Sequence, residues 1–202
     1  MTNPLKKGSP FVLFVCSANL CRSPLAENLL RARVREFGLP LDVASAGTQI
    51  IAGLTMPWQI EELAAQLGTS EPLTHSRAVT PTEAAHADLI LTASRSHSNE
   101  VIRLTPGLSR KTFTVRQFQR LTQEFPCTSD HDKTVTPKER FASWISDLAD
   151  VRGHGELPTD PTDDDTIDPF DQSLEIYAEV GAILDSATRV IAAEMKRALD
   201  GK

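Results

Sequence analysis

The segment Val15-Cys16-Ser17-Ala18-Asn19-Leu20-Cys21-Arg22-Ser23-Pro24 combines a thiol, an arginine six positions after it and the start of a helix. A loop that leaves a strand and enters a helix N-terminus points several backbone N–H groups, and the positive end of the helix dipole, at one spot. That spot suits an anion. Cys16 at the start of the loop is favoured as thiolate by the dipole and by Arg22, and the thiolate is the nucleophilic form. The planar fork of Arg22 can bind two oxygens of a phosphoryl group. Residues Cys16, Ser17, Ala18, Asn19, Leu20, Cys21, Arg22 and Ser23 therefore read as a nucleophile inside an oxyanion cradle. The Cys-x5-Arg spacing is common by itself, and its place between strand and capped helix makes it informative. Cys21 reads most simply as a small packed residue, though its closeness to Cys16 also permits a reversible disulfide.

Phosphoryl transfer to a thiolate requires an acid for the leaving oxygen, and the same group can then activate water against the thiophosphate. Two Asp-Pro pairs offer a carboxyl on a stiffened loop, Asp160-Pro161 and Asp168-Pro169. Asp160 opens an acidic, polar stretch that reads as a solvated loop. Asp168 lies between Ile167 and Phe170 just before a long terminal helix, so it is the expected acid and base, partly desolvated. Phe170 is placed to stack on an aromatic substrate.

These groups need a frame. Short β-rich runs at 11–15, 41–45, 88–92 and 111–115 alternate with helical patterns. Ser23 is the expected cap of the first helix, with Pro24 in its first turn, and Gly38 ends it. Further helices are expected at 58–67, 81–86, 96–104 and 172–199. Such alternation implies an α/β fold with a parallel sheet covered on both faces, and ligands bind beyond the carboxyl ends of its strands. The stretch 123–166 does not fit the alternation. Within it Thr136, Pro137 and Glu139 form a helix start, and Phe141, Trp144, Ile145 and Leu148 follow at helical spacing. An added amphipathic helix between two mobile loops is expected, packing on the body rather than acting as a lid.

The chain of 202 residues fits one domain, 1–202, with an insertion at about 123–166. Its net charge of −6 argues against nucleic acid or an anionic membrane as the main partner. The longest apolar run, 11–16, is far short of the roughly 20 residues of a membrane helix, and no signal-peptide pattern surrounds it. A cytoplasmic protein with three reduced, catalytic or buried cysteines is expected.

With Arg22-Ser23-Pro24-Leu25-Ala26-Glu27 continuing it, the loop resembles that of the low-molecular-weight protein tyrosine phosphatase family. Ser45-Ala46-Gly47-Thr48, His75-Ser76-Arg77, 88–92 with His97, and Asp168-Pro169-Phe170 follow in the family's order. The resemblance covers 10–122 and 166–199. It implies a three-layer sandwich around a four-stranded parallel sheet, no metal and no organic cofactor. It also implies roles: Cys16 as nucleophile, Arg22 as phosphate clamp, Ser23 as the hydroxyl steadying the sulfur, and Asp168 as general acid and base. Asn19, Ser45 and His75 would support the loop, with His97 structural and Trp58 in the core. Ala18 stands where the family usually has Gly, which is harmless only at negative φ. Aliphatic Ile50 and Ile51, placed with Phe170 on the substrate wall, look more like the bacterial branch associated with exopolysaccharide production. That branch implies a phosphotyrosine protein as substrate, including bacterial tyrosine kinases. A thioredoxin-coupled arsenate reductase resembles this fold but needs two relay cysteines, and only Cys127 lies beyond the loop. A catalytically silent phosphotyrosine- or anion-binding module, or a redox-switching interaction protein built on Cys16 and Cys21, is the alternative of another class.

Overall fold

The computed structural model describes residues 8–69, 73, 75–128 and 134–200. Four strands, β1 (Phe11–Cys16), β2 (Asp42–Gly47), β3 (Leu89–Thr92) and β4 (Thr112–Thr114), form one parallel sheet in the order β2-β1-β3-β4. All six residues of β1 are buried, because a central parallel strand is covered on both faces. Its alternating side chains feed two cores. Val12 and Phe14 join the larger one, with α1 (Arg22–Phe37) and α7 (Leu174–Asp200). Phe11, Leu13 and Val15 join the smaller one, with α3 (Pro81–His86) and α4 (Arg95–Leu104). The α/β three-layer sandwich is thus the architecture of the chain. α2 (Trp58–Gln66) packs on α7.

Most expected elements lie within two residues of their observed ends. The helix α5 (Val115–Glu124) was not anticipated, because the β-rich run through 115 masked its start. The side chain of Thr114 caps it, and Val115, Phe118, Leu121 and Thr122 form its buried face. Trp58 is 60% exposed rather than in the core.

The helix inside 123–166 is α6 (Pro137–Val151), which starts with a complete capping box of Thr136 and Glu139. Phe141, Trp144, Ile145 and Leu148 are all buried in the larger core, where Phe118 and Phe141 each meet Trp144 edge to face. This helix packs on the body. Part of the loop before it, 129–133, lies outside the described residues. The loop after it is not a free, solvated stretch: Arg120 pairs with Asp164 at 2.9 Å and Arg95 with Asp165 at 3.4 Å. Thr114 Oγ1 donates to the Asp164 carbonyl at 2.6 Å, and Thr166 N donates to Ala93 O at 2.8 Å. Residues 160–163 are exposed, and 164–166 form a strap pinned to β4, α4 and α5.

Removing the Trp144 ring tests that packing. Trp144→Ala should cost about 3–5 kcal/mol of stability in a denaturant titration, as for other large core truncations. A loss within about 0.5 kcal/mol, the range of ordinary surface substitutions, would make α6 a detachable lid.

Candidate active site

The site lies at the carboxyl end of the sheet, where β1 stops at Cys16 and α1 begins at Arg22. The helix has Cys21 at its N-cap, without a side-chain cap. Ser23, expected there as the cap, sits inside the helix instead. Its hydroxyl is 3.0 Å from Cys16 Sγ.

The loop between them is shaped by Asn19 and Gly47. Asn19 has φ +54°, a left-handed conformation that asparagine tolerates better than most residues. Ala18 is not among the positive-φ residues, so its Cβ is accommodated and the left-handed turn falls one residue later. Asn19 Nδ2 donates to Ser23 Oγ at 2.9 Å and to Ser45 Oγ at 2.8 Å. Its Oδ1 accepts from the Arg77 N–H at 3.2 Å. Ser45 in turn donates to the buried Glu27 carboxylate at 2.5 Å. Gly47 presses against the other side of the loop, where a Cβ would lie 2.3 Å from Ser17 O and 2.9 Å from Asn19 N. No residue but glycine fits there without moving backbone.

Arg22 is 6% exposed and folds over the loop. Its Nη2 donates to Asp168 Oδ2 at 2.6 Å and to Ser17 Oγ at 3.4 Å, and its Nη1 donates to Thr166 O at 3.2 Å. Its buried Nε has no protein partner. An orphaned donor on a buried guanidinium is what an anion site requires. Asp168, expected to be partly desolvated, has a side chain 50% exposed and is held by Arg22 rather than by burial. Asp160 is occupied otherwise: the backbone and hydroxyl of Thr162 hold its carboxyl below the usual range, as the cap of a 3-10 turn.

The structure brings Cys16, Ser17, Asn19, Arg22, Ser23, Ser45 and Asp168 into one connected group. Leu20 and Cys21 are buried beneath it, and burial, then Asp168 and Cys16, push the Cys21 thiol up to about 12. His75, expected to support the loop, is exposed and makes no hydrogen bond among the described residues. The backbone of Arg77 and the hydroxyl of Ser76, which donates to Ala18 O at 2.6 Å, do that work instead. Ile50 and Ile51 are exposed just after Gln49, whose N–H donates to Ser17 O at 3.0 Å, and Phe170 is half-buried behind Asp168.

One histidine does reach the loop. His97 is buried, with Nε2 2.8 Å from Ser17 Oγ and Nδ1 2.6 Å from Ser94 Oγ. Burial and then Arg22 lower it to about 4, against the raising influence of Glu100, Asp168 and Asp165. Its place after β3 on a Ser-x-x-His helix start was the available signal.

Residues 11–130 match the model of the low molecular weight phosphotyrosine protein phosphatases. The chain belongs to that family. A protein-arginine-phosphatase of Bacillus subtilis is 28% identical over 92% of this chain and 97% of its own. A low molecular weight protein-tyrosine-phosphatase of Staphylococcus epidermidis is 34% identical over 56% of this chain and 76% of its own. Among solved structures, a mutant of the Bacillus subtilis protein YwlE superposes with a TM-score of 0.66 at 22% identity, covering 93% of this chain and 99% of its own. The family member described here is therefore a phosphatase on the family's α/β frame, and the family's chemistry proceeds through a cysteinyl phosphate.

Two consequences can be measured. Gly47→Ala should lower stability by about 1–3 kcal/mol, the usual cost of overpacking, because the clash is with backbone. For His97, the unfolded chain binds a proton below about pH 6.5 whereas the folded protein resists it down to about 4. The stability of this phosphatase is thus fully present above pH 6.5 and falls as pH drops toward 4, by about 3 kcal/mol for this group. Denaturant titrations at pH 7 and pH 4.5 should show a smaller fall in His97→Gln than in the unaltered protein.

Proposed function

We propose that the chain, acting as one phosphatase domain, hydrolyses phosphotyrosine on proteins, with Cys16 as nucleophile, Arg22 as clamp and Asp168 as acid and base. The observation that carries this is the shared guanidinium. Arg22 holds Asp168 through Nη2 while its Nε is unpartnered, beside a sulfur that Ser23 approaches to 3.0 Å. A phosphoryl group entering the loop competes with Asp168 for Arg22, so the carboxyl is released when substrate arrives. Once released it takes up a proton from solvent and gives it to the phenolic oxygen as Cys16 Sγ forms a bond to phosphorus and the P–O bond breaks. Water, deprotonated by Asp168, next attacks phosphorus, and the thiolate leaves toward the Ser23 hydroxyl. Backbone N–H groups of the loop and the α1 dipole stabilise the equatorial oxygens.

The exposed Ile50 and Ile51 and the half-buried Phe170 suit the ring of phosphotyrosine. Bacterial tyrosine kinases, carrying tyrosine-rich tails, are the proposed partners, in the cytoplasm and without nucleic acid. No helix among the described residues is long and apolar enough to cross a membrane. The segment 123–166 is proposed as an insertion that braces the Asp168 strap. Phosphoarginine is a second reading, because the arginine phosphatase matches almost its whole length. Arsenate reduction lacks support: Cys127 is buried, and burial, then Glu194, push its thiol up to about 11.

Hydrolysis of para-nitrophenyl phosphate should vanish in Cys16→Ser and fall about 100-fold or more in Asp168→Asn, as for loss of a general acid. Asp168→Asn should at the same time bind inorganic phosphate more tightly, since the amide no longer neutralises Arg22. Unchanged turnover in Asp168→Asn would remove Asp168 from the reaction. Peptides carrying phosphotyrosine and phosphoarginine then decide the substrate, and faster release from phosphoarginine would replace the tyrosine reading.

A further inference from the structure

The reaction described above gives no task to His97, a buried imidazole on α4 that lies 80 residues from the loop it touches. Both of its nitrogens are engaged by hydroxyls. Nδ1 is 2.6 Å from Ser94 Oγ, which is itself 2.7 Å from Ser96 Oγ, and Nε2 is 2.8 Å from Ser17 Oγ. Ser17 Oγ in turn accepts from Arg22 Nη2 at 3.4 Å. The proton arrangement that gives the Ser17 hydroxyl a protein acceptor as well as a protein donor is the following. Nδ1 carries the hydrogen and donates to Ser94, Ser94 donates to Ser96, and Ser17 donates to the bare Nε2 and accepts from Arg22. This tautomer is assigned from the partners.

We infer that His97 is a positioning residue for the phosphatase site: by accepting the Ser17 hydroxyl hydrogen at Nε2, it turns a Ser17 lone pair toward Arg22 and holds the clamp in place. The inference rests on the function proposed above. Its importance follows from the geometry of the guanidinium. In the resting site Nη2 shares its hydrogens between Asp168 Oδ2 and Ser17 Oγ, and Nη1 is tied to Thr166 O. When Asp168 moves to the leaving oxygen, Ser17 Oγ and Thr166 O are the acceptors that still orient Arg22 among the described residues. Ser17 is then the side chain that keeps the Nε and Nη2 edge facing the loop. A protonated His97 would reverse the polarity of the chain, with Nε2 and Nη2 both donating to Ser17. The groups facing the ring are Arg22, Glu100, Asp165 and Asp168; burial and Arg22 prevail and keep it neutral at physiological pH.

Four variants of the whole chain test this: Ser17→Ala, His97→Ala, the double variant, and His97→Gln, whose Oε1 can accept from Ser17 as Nε2 does. Two readouts are used, kcat and KM on para-nitrophenyl phosphate, and the affinity for inorganic phosphate by calorimetry. Each single alanine variant should lose about tenfold in kcat/KM, the scale of one hydrogen bond to a charged-group network. Each should also bind phosphate several-fold more weakly. The double variant should be no worse than the poorer single one, because both changes break the same link. His97→Gln should recover most of the loss. Multiplying losses in the double variant, no recovery with glutamine, or unaltered phosphate affinity in Ser17→Ala would overturn the inference and leave His97 as packing. Should His97→Ala not fold, Ser17→Ala and His97→Gln decide. Failure of the unaltered protein to turn over para-nitrophenyl phosphate would instead count against the proposed function, while the phosphate affinities would still report on the Ser17 link.

Discussion

The carboxamide of Asn19 ties the loop and the start of α1 to two segments far away in sequence. Its Nδ2 reaches Ser23 on α1 and Ser45 on β2, its Oδ1 takes the Arg77 N–H, and its backbone turns the loop in a left-handed conformation. A loop that presents its N–H groups inward cannot satisfy them internally, so its shape has to be imposed from outside. Asn19 imposes it on one side, and the missing Cβ of Gly47 permits the close approach on the other. The position of the Cys16 sulfur beside Ser23 depends on both.

The second constraint is the strap that carries Asp168. A carboxyl half in solvent has no packing to hold it, so it must be placed by the backbone on either side. Upstream, Asp164, Asp165 and Thr166 are tied to Arg120, Arg95 and Ala93. Downstream, the chain enters α7, whose buried face spans the larger core. α6 adds the aromatic cluster around Trp144 against which α5, the bearer of Arg120, is packed. Within 123–166, α6 thus packs on α5, and Arg120 of α5 pairs with Asp164 of the strap.

Electrostatic balance at the site explains why its neighbours differ. The Arg22 guanidinium is shared by Asp168, Ser17 and Thr166. Cys21, one residue away, is pushed up to about 12 by burial, then by Asp168 and Cys16, against the lowering influence of Arg22. His97, buried beside the same guanidinium, is kept neutral and hence able to accept a hydrogen at Nε2. Burial is the leading cause of both shifts, and Arg22 opposes it at Cys21 and reinforces it at His97.

The sequence by itself determined the local grammar: apolar alternation in β1, the strand-loop-helix order around Cys16 and Arg22, the capping box of α6 and the Asp-Pro pair at Asp168. Each depends on residues a few positions apart, where backbone geometry leaves little choice. Only the tertiary structure decided which distant groups meet at the carboxyl edge of the sheet. It put His97 rather than His75 on the loop, gave Ser23 to the sulfur instead of the helix cap, paired Asp168 with Arg22, and pinned the end of an acidic run that composition marked as solvated. Those contacts join residues up to 146 positions apart. Their selection depends on strand order and on which buried polar groups would otherwise go unsatisfied, and neither is written in local spacing.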